Sequence, residues 1–228
     1  MVLDLPKFGV TEVTKNMTDD QRTIRRDYDL GELRRANLEL DPKVQFSHWI
    51  NRAIEEALID ATAMTLATAN AAGRPSVRIV LLKHFDERGF AWYTSYHSQK
   101  GRELAENPNA SLLFHWRELE RQVRISGTVT RLSQGDSKAY FESRPRESQY
   151  SAAASDQSFV IANRAALEAK VDALLRQGGA PLAMPEHWGG YLLQPSEYEF
   201  WQGRTGRLHD RFIYRKTATG WHIDRLQP

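Results

Sequence analysis

The sequence predicts a mainly β protein with additional α-helices: an antiparallel barrel with helices packed on its outside. Three observations lead there. Strand-like runs outnumber helical ones, and tight turns join most of them. The helical runs are inserted among the strands. No internal repeat, low-complexity tract or long linker divides the chain. With 228 residues, there is room for one large domain or two small ones and for a sizeable core. We read residues 20–228 as a single domain and residues 1–19, which are mixed and aperiodic, as a flexible N-terminal arm.

The elements follow in order. A short charged helix is expected around Asp20 to Tyr28. Asp41-Pro42 is a strong helix start, an N-cap followed by proline at the first helical position. Phe46, Trp49, Ile50, Ala53, Ile54, Ala57 and Leu58 then recur at helical spacing, so this helix lies against a core. TAMTLATA, the turn Asn70 to Gly73 and PSVRIVLLK read as a hairpin. GFAWYT is the next strand. SQKGRELAEN is a short helix stopped by Pro108, and ASLLFHW and LERQVRISGTVTRL are two further strands. Residues 134–176 are helical in pieces, the last from Arg164 to Arg176 and ended by Gly178-Gly179. GGYLLQ with EYEFWQG, then LHDRFIYR, then WHIDRL close the chain as strands.

Composition excludes several classes of function. The absence of cysteine removes disulfides, thiolate metal sites and cysteine nucleophiles. The longest purely aliphatic run is Ile79 to Leu82, so no membrane span is expected. The N-terminus lacks a basic region followed by an apolar one, so a cytoplasmic protein is expected. Lys and Arg total 31 against 29 Asp and Glu, and the signs are interspersed, so the basic stripe of a nucleic-acid binder is missing. Neither G-x-G-x-x-G nor G-x-x-x-x-G-K-[ST] occurs, nor H-E-x-x-H nor G-x-S-x-G, and the histidines are scattered. No metal site is expected. An enzyme with this sequence would work through cofactor chemistry.

Three segments carry cations that need an explanation. Arg78-Ile-Val-Leu-Leu-Lys83 places two cations in an apolar strand. Buried charge is costly unless paired or liganded, and period-two geometry puts the two on opposite faces. The alternative is strand-end charges reaching water. Tyr140-Phe-Glu-Ser-Arg144-Pro-Arg-Glu-Ser148-Gln149 ends one helix at Arg-Pro and offers Ser148 as the cap of the next. That combination suits a phosphate, or is a plain helix–loop–helix. In Glu199-Phe-Trp201-Gln-Gly-Arg-Thr-Gly-Arg207-Leu-His209-Asp-Arg211, a strand would point Arg207, His209 and Arg211 to one face. Such a face calls for an anion, or is a salt-bridged edge.

The spacing W-Q-x-x-x-x-R-L-H-D-R closely resembles the C-terminal signature of the pyridoxamine 5′-phosphate oxidase family of flavin enzymes. RRDY, RIVLLK, WYT, SLLFHW with LERQVRISG, YFESRPRESQ and the terminal IDRLQP agree with that family in the same order, from about Ile24 to Pro228. The resemblance implies a split β-barrel and a homodimer with FMN at the subunit interface. It implies that Arg78, Ile79, Val80, Leu81, Lys83, Tyr93, Thr94, Gln99, Lys100, Gln122, Gln157, Ser158, Trp201 and Arg211 line the cofactor site, with Arg78 and Lys100 as partners of its phosphate. Lys83, Tyr140, Arg144 and Ser148 would hold the substrate phosphate. Arg207 and His209 would be catalytic, facing the pyridine ring, with Arg25 and Tyr28 folding over it and Asp60 near the pocket. One position departs from the family: Ser98-Gln99-Lys100 stands where S-R-K is usual, which removes a positive charge near the expected FMN phosphate.

The reaction so implied is the O2-dependent oxidation of pyridoxamine or pyridoxine 5′-phosphate to pyridoxal 5′-phosphate, with hydride passing from C4′ to flavin N5 and H2O2 formed. Arg34, Arg35 and Arg225 form a weaker candidate for a second anionic site. The competing readings are a related flavin oxidase of the phenazine-pathway type and a non-catalytic FMN- or pyridoxal-phosphate-binding protein.

Overall fold

The computed structural model describes residues 26–176 and 182–228. The expected N-terminal arm, Arg25 and the Gly178-Gly179 stop lie outside the described residues. The segment expected to be helical up to Tyr28 is not helical over residues 26–29. Its partners explain this: Arg26 pairs with Glu120 at 3.2 Å and the Leu30 N–H donates to the same carboxylate at 3.1 Å. Long-range partners hold the segment extended, and they outweigh local helix preference.

Helix α1 (Pro42–Glu55) starts at Asp41, whose side chain accepts from the Lys43 N–H at 2.8 Å. Phe46, Trp49, Ile50 and Ala53 are buried as expected. Ile54 and Ala57 are exposed and Leu58 is half-buried, because the helix ends at Glu55 and Ala57 turns left-handed at φ 52°. Phe46 makes edge contacts with Phe85, Phe90 and Phe114 at 4.9–5.0 Å. Burying such a ring stabilises the fold by roughly 2–3 kcal/mol.

Among the described residues, nine antiparallel strands form one curled sheet. They are β1 (Ala63–Ala69), β2 (Pro75–Leu81), β3 (His84–Asp86), β4 (Gly89–Ser95), β5 (Asn109–Trp116), β6 (Arg121–Arg131), β7 (Trp188–Gln202), β8 (Asp210–Thr217) and β9 (Gly220–Leu226). The order is β2-β1-β5-β6-β7-β4-β3, with β8 on β7 and β9 on β8. The sheet forks at β7: its first part pairs with β4 and its last part with β8. Two expected strands are thus one 15-residue strand, with a bulge opposite Ser126/Gly127. Pro195 lies at this irregularity, where a missing N–H is tolerated. A Cβ on Gly127 would come within 2.0 Å of the Gln194 carbonyl oxygen, so only glycine permits the close approach. The short β3 was not foreseen.

Helix α2 (Gln99–Glu106) is capped by Ser98, which accepts from the Gly101 N–H at 3.2 Å. Helices α3 (Gln134–Ser143), α4 (Arg146–Ala154) and α5 (Arg164–Arg176) follow β6. Ser148 does not cap α4. That helix begins at Arg146 after Pro145, so Ser148 lies inside its first turn. Among the described residues, no helix is long and apolar enough to cross a membrane.

Candidate active site

A cavity of about 540 Å³ opens between the end of β2, strand β4, the α3–α4 junction and the start of β7. It brings together Ile79, Val80, Leu81, Lys83, Tyr93, Thr94, Lys100, Tyr140, Arg144, Ser148 and Gln157 from the expected site. One wall is aromatic. Tyr93 and Tyr140 stack at 3.8 Å between centroids, and both rings run nearly parallel to Trp188. Burial, assisted by Asp136, pushes the Tyr93 phenol up to about 12, so it stays protonated near neutrality.

The cations around this cavity lack carboxylate partners among the described residues. Lys100 is buried and donates to Thr94 Oγ1 at 3.2 Å. Burial, with the nearby Arg78 charge, pulls its ammonium down to about 8. Arg144 is held below the usual arginine range by burial. Its buried Nη1 meets no acceptor among the described residues. Lys83 follows the end of β2 at the rim. A cavity with uncompensated cations and an aromatic wall suits a flat, phosphorylated ring. Thr94 Oγ1 also donates to Gln157 Oε1 at 2.7 Å, which ties β4 to the loop after α4. Ser158, next in that loop, is exposed and left-handed at φ 73°. Strain of this kind gathers at ligand sites.

Arg78 and Gln99 do not line the cavity; both turn to Glu103. Arg78 donates to Glu103 Oε2 at 3.2 Å, to Thr68 Oγ1 at 2.6 Å and to Ser76 Oγ at 2.5 Å, while Gln99 Nε2 donates to Glu103 Oε1 at 2.9 Å. Burial pushes the Glu103 carboxyl up. The hydrogen bonds from Ser76, Thr68, Gln99 and Arg78 outweigh that and hold it at about 2.

Other expected residues gather at the far end of β7. Gln122, Trp201 and Arg211 share a smaller recess with Arg124 and Glu199, and Arg211 Nε donates to Glu199 Oε1 at 2.8 Å. Beside it, Tyr28, Trp201 and His209 form an aromatic cluster with centroids 4.7–5.7 Å apart. Gly203 leaves room for Tyr28, since a Cβ there would lie 2.6 Å from its ring. Arg207 is exposed nearby. The expected strand face of Arg207, His209 and Arg211 does not form. Strand β8 begins only at Asp210, and Gly206 and Arg207 are both left-handed, at φ 62° and 64°. The His209 Nδ1 accepts from the Arg204 N–H at 3.1 Å, and burial with the Arg207 charge lowers its pKa. The ring is therefore neutral at pH 7, with its proton on Nε2. Asp60 is exposed and lines neither recess.

The second-anion-site candidate fares differently. Arg34 pairs with Glu32, and Arg225 pairs with Asp210, so two of its three cations already have carboxylates.

Residues 50–177 match the family model described as pyridoxamine 5′-phosphate oxidase. The chain belongs to the pyridoxamine 5′-phosphate oxidase family. Residues 188–228 match the model described as the pyridoxine 5′-phosphate oxidase C-terminal dimerisation region. A pyridoxine/pyridoxamine 5′-phosphate oxidase of Deinococcus deserti is 53% identical over 92% of this chain and 99% of its own length. One from Paraburkholderia phymatum is 53% identical over 90% and 97%. Among solved structures, PhzG from Burkholderia lata, in complex with tetrahydrophenazine-1-carboxylic acid, aligns with a TM-score of 0.80 at 34% identity, covering 85% of this chain and 95% of its own. A pyridoxamine 5′-phosphate oxidase-related, FMN-binding protein of Nostoc punctiforme aligns at 0.67 and 19%, over 84% and 100%, and shares the fold. The forked sheet is the split barrel of this family.

Trp188, Ser95, Pro145, Ser151, Ala152 and Ser155 also line the cavity and were not foreseen. A faint signal exists for Ser148, Ser151 and Ser155, which recur at helical spacing along one face of α4 and just past its end.

Proposed function

We propose that the protein is an FMN-dependent pyridoxine/pyridoxamine 5′-phosphate oxidase that works as a homodimer. The observation that carries this reading is the cavity, where Lys83, Lys100 and Arg144 converge beside aromatic rings without carboxylate partners among the described residues. FMN and the B6 phosphates are both flat rings bearing a phosphate, so the residues fit the cofactor and the substrate alike. The dimer is supported by the geometry of β7. The cavity sits at its Trp188 end, and the Gln122–Trp201–Arg211 recess sits thirteen residues away, about 40 Å of strand. A single small ligand needs a second subunit to touch both.

When bound, FMN would supply the redox chemistry, a two-electron oxidation of the substrate at C4′ with O2 as the final acceptor. Overall, the alcohol plus O2 gives aldehyde and H2O2; the amine also consumes water and releases ammonia. Lys100 and the Thr94–Gln157 pair hold the flavin. Arg78 sets the charge behind Lys100 from its place on Glu103. Lys83, Tyr140, Arg144 and Ser148 hold the substrate phosphate. From the other subunit, Arg207 fixes the pyridine ring and Tyr28 covers it. The neutral His209 donates from Nε2 to a ring substituent, which makes it an orienting group in this state.

A second reading is favoured by the match to PhzG: a split-barrel oxidase acting on a different ring. The test is O2-dependent formation of pyridoxal 5′-phosphate from pyridoxine 5′-phosphate with added FMN. Turnover that requires FMN is the expected result. Bound FMN without turnover moves the assignment to the second reading or to a carrier. Failure to bind FMN refutes the site.

A further inference from the structure

We propose that Trp188 is a positioning residue for Arg144, and that through Arg144 it sets the preference for phosphorylated ligands. This rests on the functional reading above. The Trp188 ring is buried and fixed on several sides. Phe141 meets it edge-on at 5.2 Å, and the Tyr93 and Tyr140 rings lie nearly parallel to it at 5.7 and 6.3 Å. The Arg144 Cζ sits 4.9 Å from its centroid. Pro145 restrains the backbone of Arg144 to an extended conformation, φ −73° and ψ 152°, as the chain leaves α3.

The significance lies in what else holds the guanidinium. Its Nη1 is buried without an acceptor, and no carboxylate pairs with it, among the described residues. A carboxylate would hold the group firmly but would also neutralise it and compete with an incoming phosphate. A π face orients the guanidinium plane and leaves its N–H groups free. Ser148 and Lys83 line the same cavity, so a phosphate there would meet all three.

The test measures dissociation constants of pyridoxal 5′-phosphate and of pyridoxal for the FMN-loaded protein, by calorimetry. Wild type, Trp188→Leu, Trp188→Phe, Arg144→Ala and the Trp188→Leu/Arg144→Ala double variant are compared. The wild type is expected to prefer the phosphorylated ligand. Trp188→Leu should cut that preference about tenfold and Trp188→Phe about threefold, read as the ratio of the two dissociation constants so that any loss of ring contact common to both ligands cancels. In the Arg144→Ala background, Trp188→Leu should change the preference no further. If Trp188→Leu weakens both ligands equally, or lowers the preference as much without Arg144, Trp188 is packing alone and the inference is overturned. If the wild type shows no preference for the phosphate, the functional reading itself fails, and this inference with it. Trp188→Phe keeps an aromatic ring in place, so the test stands on it if the leucine variant does not fold.

Discussion

Lys100→Met should stabilise the FMN-free protein while weakening its hold on FMN. The Lys100 ammonium ionises at about 8 instead of 10.5, a gap of 2.5 units between the two values. At 1.36 kcal/mol per unit, the charged form costs ~3 kcal/mol in the fold. Methionine fills similar space without charge, and the lost hydrogen bond to Thr94 offsets ~1 kcal/mol of the gain. A net gain of ~2 kcal/mol is expected at pH 7. Its pH dependence fixes the cause. Below pH 8 the folded and unfolded chains both carry the proton, so the cost is fully present. Between pH 8 and 10.5 the folded chain releases its proton first, and wild-type stability rises with pH. The advantage of the methionine variant should fade across that window. FMN affinity should fall ~10–100-fold with the loss of a charged hydrogen bond. Urea unfolding of the FMN-free proteins at pH 7 and pH 10, with flavin fluorescence titration, measures both effects. A variant that is less stable at pH 7, or that binds FMN with unchanged affinity, refutes the reasoning.

Other outcomes follow from the same geometry. Glu103→Gln should cost about 1–2 kcal/mol of stability at pH 7, since hydrogen bonds hold the carboxyl at about 2, below its ordinary 4.5, and solvent screening reduces the full effect. That contribution is present above pH 4.5 and lost as pH falls toward 2, so acid unfolding curves of the two proteins should converge. Gln99→Arg places a second cation against Glu103, outside the cavity, and should leave FMN affinity within about twofold in a fluorescence titration, whereas a tenfold gain would put this position in direct contact with the cofactor. Arg207→Ala should lower kcat/KM at least tenfold in steady-state assays, whereas Arg176→Ala, on the exposed end of α5, should leave it unchanged.

Local signals in the sequence carried the elements, and long-range contacts decided the rest. Asp41-Pro42 and the Phe46, Trp49, Ile50, Ala53 spacing are complete within a few residues, so α1 and its buried face were legible. Ile54 shares that spacing but lies off the stripe, because the helix stops a residue later. The strand expected through Arg207 and His209 failed because two consecutive left-handed residues delay β8, and Gly206 was the lone hint. Most residues that line the cavity were named through the family motifs, yet Trp188 was not. Its role depends on Arg144 and the rings of Tyr93 and Tyr140, which arrive from distant segments. Arg78 was legible as a cation needing a partner. That the partner is Glu103 depends on α2 packing beside β1 and β2, which no local pattern encodes.

The length of β7 has a genetic consequence. One strand carries Trp188 at one end and Trp201 at the other, so each protomer of the proposed dimer lends half of two different sites. Lys100→Met damages one half and Arg207→Ala the other. Two impaired alleles of these kinds, assayed at FMN too dilute to load the Lys100→Met site, should therefore complement each other above the residual activity of either alone. In a hybrid dimer both lesions fall in the same site and the second site is intact. Random pairing of equal amounts should return about a quarter of wild-type activity. Co-expression of the two variants measures this, and a mixture no more active than either alone would place both halves of each site in one chain.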